Sequence, residues 1–141
     1  MGYGRDMKVA ARRHFRAANE LADATGAGAQ PGCKAVAGHL FGLCGELALK
    51  AIMIDSGMLP LPDDAHRTDP FFAHFPSLKQ RLLDQVQGRR AGELRRIAEC
   101  PRLFQEWDIG MRYAPTIQIP AARVDAWRAD AAGLIKDMDS G

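Results

Sequence analysis

The sequence predicts an all-α bundle of four to five helices, and three observations predict it. Apolar residues recur at helical spacing in several separate blocks. Proline and glycine cut the chain between those blocks. Strand signals are almost absent, with no internal repeat, P-loop or G-x-G-x-x-G. A length of 141 residues suits one domain, residues 1–141. With 47% apolar and 26% charged residues the composition is globular rather than disordered. Only 7% are aromatic, so Ala, Leu, Ile, Val and Met must supply most of the core. A formal charge of +2 is too small to demand a nucleic acid or a membrane by itself.

The first helix is expected over Arg5 to Thr25, with Met7, Ala11, Ala18 and Leu21 on one face and Gly26 as its stop. A turn follows over 26–32. Cys33 to Ser56 reads as a long helix ended by Gly57, Pro60 and Pro62. From Met58 to Pro76 the chain is rich in Pro, Asp and His without periodicity, a loop longer than most connections. Ser77 is an N-cap candidate for a helix through Gln87 with Leu78, Leu82 and Val86 aligned. Another helix is expected from Arg90 to Glu99, then a turn over 101–107 and an irregular stretch from Asp108 to Ile119. Pro120 suits the first position of the last helix, where Val124, Trp127, Ala131, Leu134 and Met138 form a 3-4 seam for a partner helix.

The segment 33–56 is the most informative. Val36, Leu40, Phe41, Cys44, Leu47, Ala48, Ala51, Ile52 and Ile54 wrap most of its circumference, the mark of a central helix. His39, Glu46 and Lys50 nevertheless fall within about 40° of one another at 100° per residue. Gly42 beside that stripe would let another backbone approach. A carboxylate there must be solvated, paired or protonated. Three readings stay open: a Glu46–Lys50 pair emerging at the surface, a Glu46 anchor for Arg112, or a polar stripe lining a cleft or dimer groove.

Cys33, Cys44 and Cys100 are odd in number and widely spaced, so neither a disulfide framework nor a zinc site is expected and a reducing compartment fits. Met1 to Lys8 carries no apolar stretch of a secretory signal. The charge-free run Ala35–Gly45 is too short to span a bilayer before Glu46 and Lys50 interrupt. A soluble, cytoplasmic protein without metal or cofactor is expected. Among other chemistries, His66 and His74 flank acidic residues at a spacing that fits no metal site, and three serines without G-x-S-x-G offer no hydrolase.

Several segments together carry a resemblance: RRHFRAANELA at 12–22, AGHLFGLCGELALKA at 37–51, HFPSL at 74–78, Gly88-Arg89, and WDIGMRY at 107–113. They resemble the HEPN superfamily, in particular its small stand-alone bacterial proteins, over about residues 5 to 138. The resemblance implies an up-and-down bundle, usually a homodimer, linked to nucleotide or RNA binding. Several such proteins are ribonucleases of toxin–antitoxin, CRISPR and other defence systems, while others partner small nucleotidyltransferases or are inactive scaffolds. On that pattern His39, Glu46, Lys50, Arg112 and Tyr113 are ligand-binding candidates.

Catalytic HEPN proteins carry Arg-x4–6-His on a late helix, where His moves protons and Arg steadies the phosphate's developing charge. Here the histidines are at 14, 39, 66 and 74, and none follows Arg112. Arg67 and His74 match the spacing formally but lie in the proline-rich loop. The expected function is therefore a non-catalytic nucleotide- or RNA-binding module acting with a partner protein. The alternative is a structural or interaction component of a toxin–antitoxin or defence system. A divergent metal-independent ribonuclease, with His39 supplied across a dimer, is third. Two basic segments offer phosphate contacts: 5–16, with Arg5, Lys8, Arg12, Arg13 and Arg16, and 79–102, where Arg89, Arg90, Arg95 and Arg96 are the nucleic-acid candidates.

Overall fold

The computed structural model describes residues 3–25 and 30–141, and among these it is all-helical, with five α-helices and no strand. The expected stop at Gly26 and most of the 26–32 turn lie outside the described residues. The helices are α1 (Met7–Ala22), α2 (Pro31–Asp55), α3 (Ser77–Gln85), α4 (Ala91–Glu99) and α5 (Ala121–Asp139). Short 3-10 turns at Asp63–Ala65, Pro70–Phe72, Ile109–Tyr113 and Thr116–Gln118 fill the two stretches expected to be irregular.

α2 is the centre, packed along α1 and α5, while α3 packs on α4. Ala37, Phe41, Cys44, Ala48, Leu49, Ala51, Ile52 and Met53 are all buried, although Val36 and Ile54 at its two ends are exposed. By length and composition α2 from Gly32 to Asp55 does suffice to cross a membrane, contrary to the expectation from the charge-free run, and 72% of its most apolar window is buried inside the bundle. The α5 seam is occupied within the chain: Val124, Trp127, Ala131, Leu134 and Met138 are all buried, on a helix that packs along α2 and also touches α1. Burial pushes the Cys44 thiol up to about 12, which leaves it an inert core residue.

Helix boundaries follow local chemistry. Asp6 caps α1 by accepting from the Val9 N–H at 3.0 Å. Ser77 does not cap α3: it is already the first helical residue, follows the cis Phe75–Pro76 peptide, and makes no side-chain cap bond. Pro120 precedes α5 as its extended N-cap residue instead of opening the helix. Gly42 admits a ring rather than a backbone, because a Cβ there would stand 1.9 Å from the Trp107 indole. That indole donates to the Gly38 carbonyl at 3.1 Å, locking the 101–107 turn against α2. Within the turn Phe104 and Glu106 hold positive φ (51° and 65°), a strain of about 1–3 kcal/mol each. It is sustained by Asp130, which accepts from the Phe104 N–H at 2.8 Å, and by burial of Phe104 against Phe75.

The 58–76 stretch is organised around one buried acid. Asp69 is fully buried and accepts from the Leu61 N–H at 2.8 Å and the Phe71 N–H at 2.9 Å. Arg81 of α3 donates to the His66 and Asp69 carbonyls. This polar satisfaction, not apolar periodicity, is what fixes a segment whose sequence carries no repeat.

Candidate functional site

α2 presents two polar positions of opposite character. Deep in the bundle, Glu46 is 2% exposed and accepts twice, from His74 Nδ1 at 2.7 Å and from the Phe75 N–H at 2.9 Å. The Glu46–Arg112 anchor does not form: the carboxylate is engaged by the His74 imidazole and the Phe75 N–H, and no ion pair joins it to Arg112. The surface Glu46–Lys50 pair does not form either: both residues are buried, and no ion pair joins them. Burial raises the Glu46 pKa, against the pull of the His74 and Phe75 hydrogen bonds. Burial likewise lowers that of Lys50, with the Glu46 and Asp69 carboxylates opposing. The functional yield of this pair is structural. Glu46 ties the residues before α3 to the central helix, and the sequence signal that could have found it was His74 just ahead of the α3 start.

Two turns nearer the start of α2 the arrangement is open. His39 is half-buried, its ring stacked nearly parallel on Trp107 with centroids 5.9 Å apart and 9° between planes. Its Nδ1 is buried and has no hydrogen-bond partner among the described residues. Desolvation lowers its pKa first, and the charges of Arg112, His74 and His14 push the same way. A neutral imidazole carries one donor and one acceptor nitrogen. His39, Val36, Met111 and Arg112 wall a hollow of about 190 Å3 closed by Thr116 and Ile119. A neighbouring hollow of about 530 Å3 shares Thr116 and Ile119 and adds Lys34 and Ile117. On the rim, the Arg112 guanidinium lies 4.7 Å from the Tyr113 ring centroid, a cation–π contact, and Tyr113 is 79% exposed. Thus His39 and Arg112 share one hollow, Tyr113 is tied only to its neighbour Arg112, and Glu46 and Lys50 belong to the closed part of the stripe.

The four α4-side arginines divide. Arg90 is 6% exposed and fully engaged: Nε and Nη2 donate to Glu93 at 2.8 Å each, Nη1 to Asp55 at 2.9 Å, and Nη2 also to the Asp137 carbonyl at 2.7 Å. It is a clamp of α2, α4 and α5, not a nucleic-acid contact. Arg89 pairs with Asp55 while its Nε donates to the Asp55 carbonyl at 3.1 Å. Gly88 makes this junction possible: its φ is +96°, and a Cβ there would sit 1.6 Å from the Ser56 carbonyl oxygen. Of the four, Arg95 and Arg96 are exposed and have no ion pair among the described residues.

Among the described residues no group of three or more His, Cys, Asp or Glu is placed to hold a metal ion. Arg67 is exposed, and the Nδ1 of His74 is committed to Glu46, so the formal Arg-x6-His match builds no reactive pair. No protein-family model, curated protein or solved structure matches the chain.

Proposed function

We propose that this chain is a HEPN-like nucleotide- or RNA-binding module, cytoplasmic and homodimeric, that acts non-catalytically with a partner protein such as a small nucleotidyltransferase. The observation that supports it is the hollow lined by His39 and Arg112, where the His39 ring keeps its Nδ1 without a hydrogen-bond partner among the described residues. An unsatisfied buried polar atom costs about 1–3 kcal/mol, which a ligand hydroxyl or amine would recover. The small hollow admits a base or a sugar edge, and the larger one beside it leaves room for the rest of a nucleotide. The phosphate falls to Arg112, whose charge is held in place over the Tyr113 ring.

A protein-only role is the second reading, favoured by Ile117, which is 91% exposed on the wall of the larger hollow. Fluorescence polarisation of a labelled single-stranded RNA at about 50 and 200 mM salt separates the two. The nucleotide reading expects binding that collapses at the higher salt and weakens at least about tenfold in Arg112→Ala. Absence of binding at both salts, or binding indifferent to Arg112→Ala, gives the site to a protein partner.

A further inference from the structure

On the other flank of α2, α1 and the Pro70–Phe72 turn enclose a groove of about 480 Å3. Its walls combine two kinds of side chain. Arg5 and Arg13 supply charge, and among the described residues neither has an ion pair or side-chain hydrogen bond. Val9, Leu47, Phe71 and Phe72 supply apolar surface. The groove also contains one acid, Asp6, but its Oδ1 is already engaged by the Val9 N–H at the start of α1.

Phe72 is the unusual wall. An aromatic ring following a proline in a 3-10 turn would be expected to fold inward, as Phe71 does in part. Phe72 instead stays 42% exposed. It is held there by His66, whose ring stacks on it at 3.8 Å with 18° between planes. The His66 segment is in turn fixed by Arg81, which donates to the His66 carbonyl at 3.2 Å. A ring backed on one side and left exposed, beside two uncommitted guanidinium groups, has the composition of a base-stacking platform with phosphate donors. Val9, 50% exposed on the same wall, extends the apolar floor.

We propose that this groove is a second ligand site, taking one phosphorylated nucleoside unit with its base on Phe72 and its phosphate on Arg5 and Arg13. The volume suits a mononucleotide. Net positive charge disfavours a neutral apolar guest, and the aromatic wall gives a preference over a bare anion. The site is separate from the His39–Arg112 hollow and does not depend on it, because no residue lines both.

The test is an NMR titration of the 15N-labelled full chain at low salt with AMP, adenosine and inorganic phosphate in parallel. AMP is expected to shift the amides of residues 5–13 and 71–72 saturably, with adenosine and phosphate each at least about tenfold weaker. Phe72→Ala should weaken AMP about tenfold and leave the weak phosphate response unchanged. Arg13→Ala, at an exposed position without partners, should weaken both. Arg112→Ala should leave the groove's response intact, so failure here and failure of the His39 hollow are told apart. The proposal is overturned by phosphate binding as tightly as AMP, by a polyglutamate peptide competing as well as AMP, or by shifts absent from residues 5–13 and 71–72.

Discussion

Two stretches of this chain carry similar charge and meet opposite fates. Between residues 79 and 102, Lys79 donates to the Cys100 carbonyl, Arg81 to two loop carbonyls, and Arg89 and Arg90 bind Asp55 and Glu93. Between residues 5 and 16, only Arg12 is engaged, by Asp139, while Arg5, Lys8, Arg13 and Arg16 keep no ion pair among the described residues. The difference is one of location. The first stretch crosses the end of α2, where Asp55 and the α5 terminus supply acceptors. The outward face of α1 meets one nearby acid in sequence, and that acid is spent on the helix cap. A basic run is available to a ligand to the extent that the fold brings it no other acceptor.

The most forceful way to break this comparison is to remove the clamp. Arg90→Ala strips donors from Glu93, Asp55 and the Asp137 carbonyl at once and loosens α4 from α2 and α5. It should destabilise the protein by about 2–4 kcal/mol, as a partly buried charge network loses its centre. Arg13→Ala should change stability by under about 0.5 kcal/mol. Urea unfolding of both variants checks the pair of values. Equal small costs would mean that Arg90 is as free as Arg13 and that the division between the stretches is illusory.

That division was not legible in the sequence, and the reason is physical. Helical periodicity reports which face is apolar, so α2's central place and the α5 seam could both be read from the sequence. Element ends moved by at most three residues, although Ser77 and Pro120 each took a different place at the helix start from the one expected. Partners of charges are different. Arg90 lies 35 residues from Asp55 and 47 from Asp137, and nothing periodic encodes those distances. The same limit explains Glu46, whose acceptors' partners came from residues 74 and 75 rather than from Lys50 one turn away or from Arg112. His39, Arg112 and Tyr113 were singled out because two short motifs marked them, and of these His39 and Arg112 line one hollow. The groove on α1 was half visible, as a basic run, but its aromatic wall belonged to a stretch that read as structureless loop.

A smaller effect sharpens the comparison on the His39 side. The charged neighbours that act on His39 are Arg112, His74 and His14, all of one sign, so its protonation finds no compensating acid. Its folded pKa is depressed below the ordinary 6.5. The unfolded chain therefore binds the extra proton first as pH falls, and stability present above about 6.5 declines as pH drops through the lowered value. Unfolding at pH 7.5 and 5.5 should show that loss in the wild type, and His39→Leu should reduce it. An unchanged pH dependence in His39→Leu would show that folding does not depress the ring's pKa, and a steeper loss at low pH in the variant would reveal an acidic partner.

The smallest expected effect tests what remains of the α4 face. Arg95 and Arg96 are exposed and have no ion pair among the described residues, so they differ from Arg5 and Arg13 in what lies beside them. Arg96 borders a groove of about 320 Å3 whose polar walls are Asp130, Asp137 and Cys100, and no aromatic side chain lines it. Acids beside the cation reduce its hold on a phosphate, and without a ring there is nothing for a base to stack on. Arg95→Glu with Arg96→Glu should therefore cost at most about 1 kcal/mol of stability. At about 50 mM salt the pair should weaken RNA binding by less than about threefold, whereas Arg5→Glu with Arg13→Glu should weaken it by about tenfold or more. Polarisation measurements on the two double variants decide the order. A larger loss at 95 and 96 than at 5 and 13 would move the nucleic-acid face to α4 and show that free charge alone, without an aromatic platform, suffices.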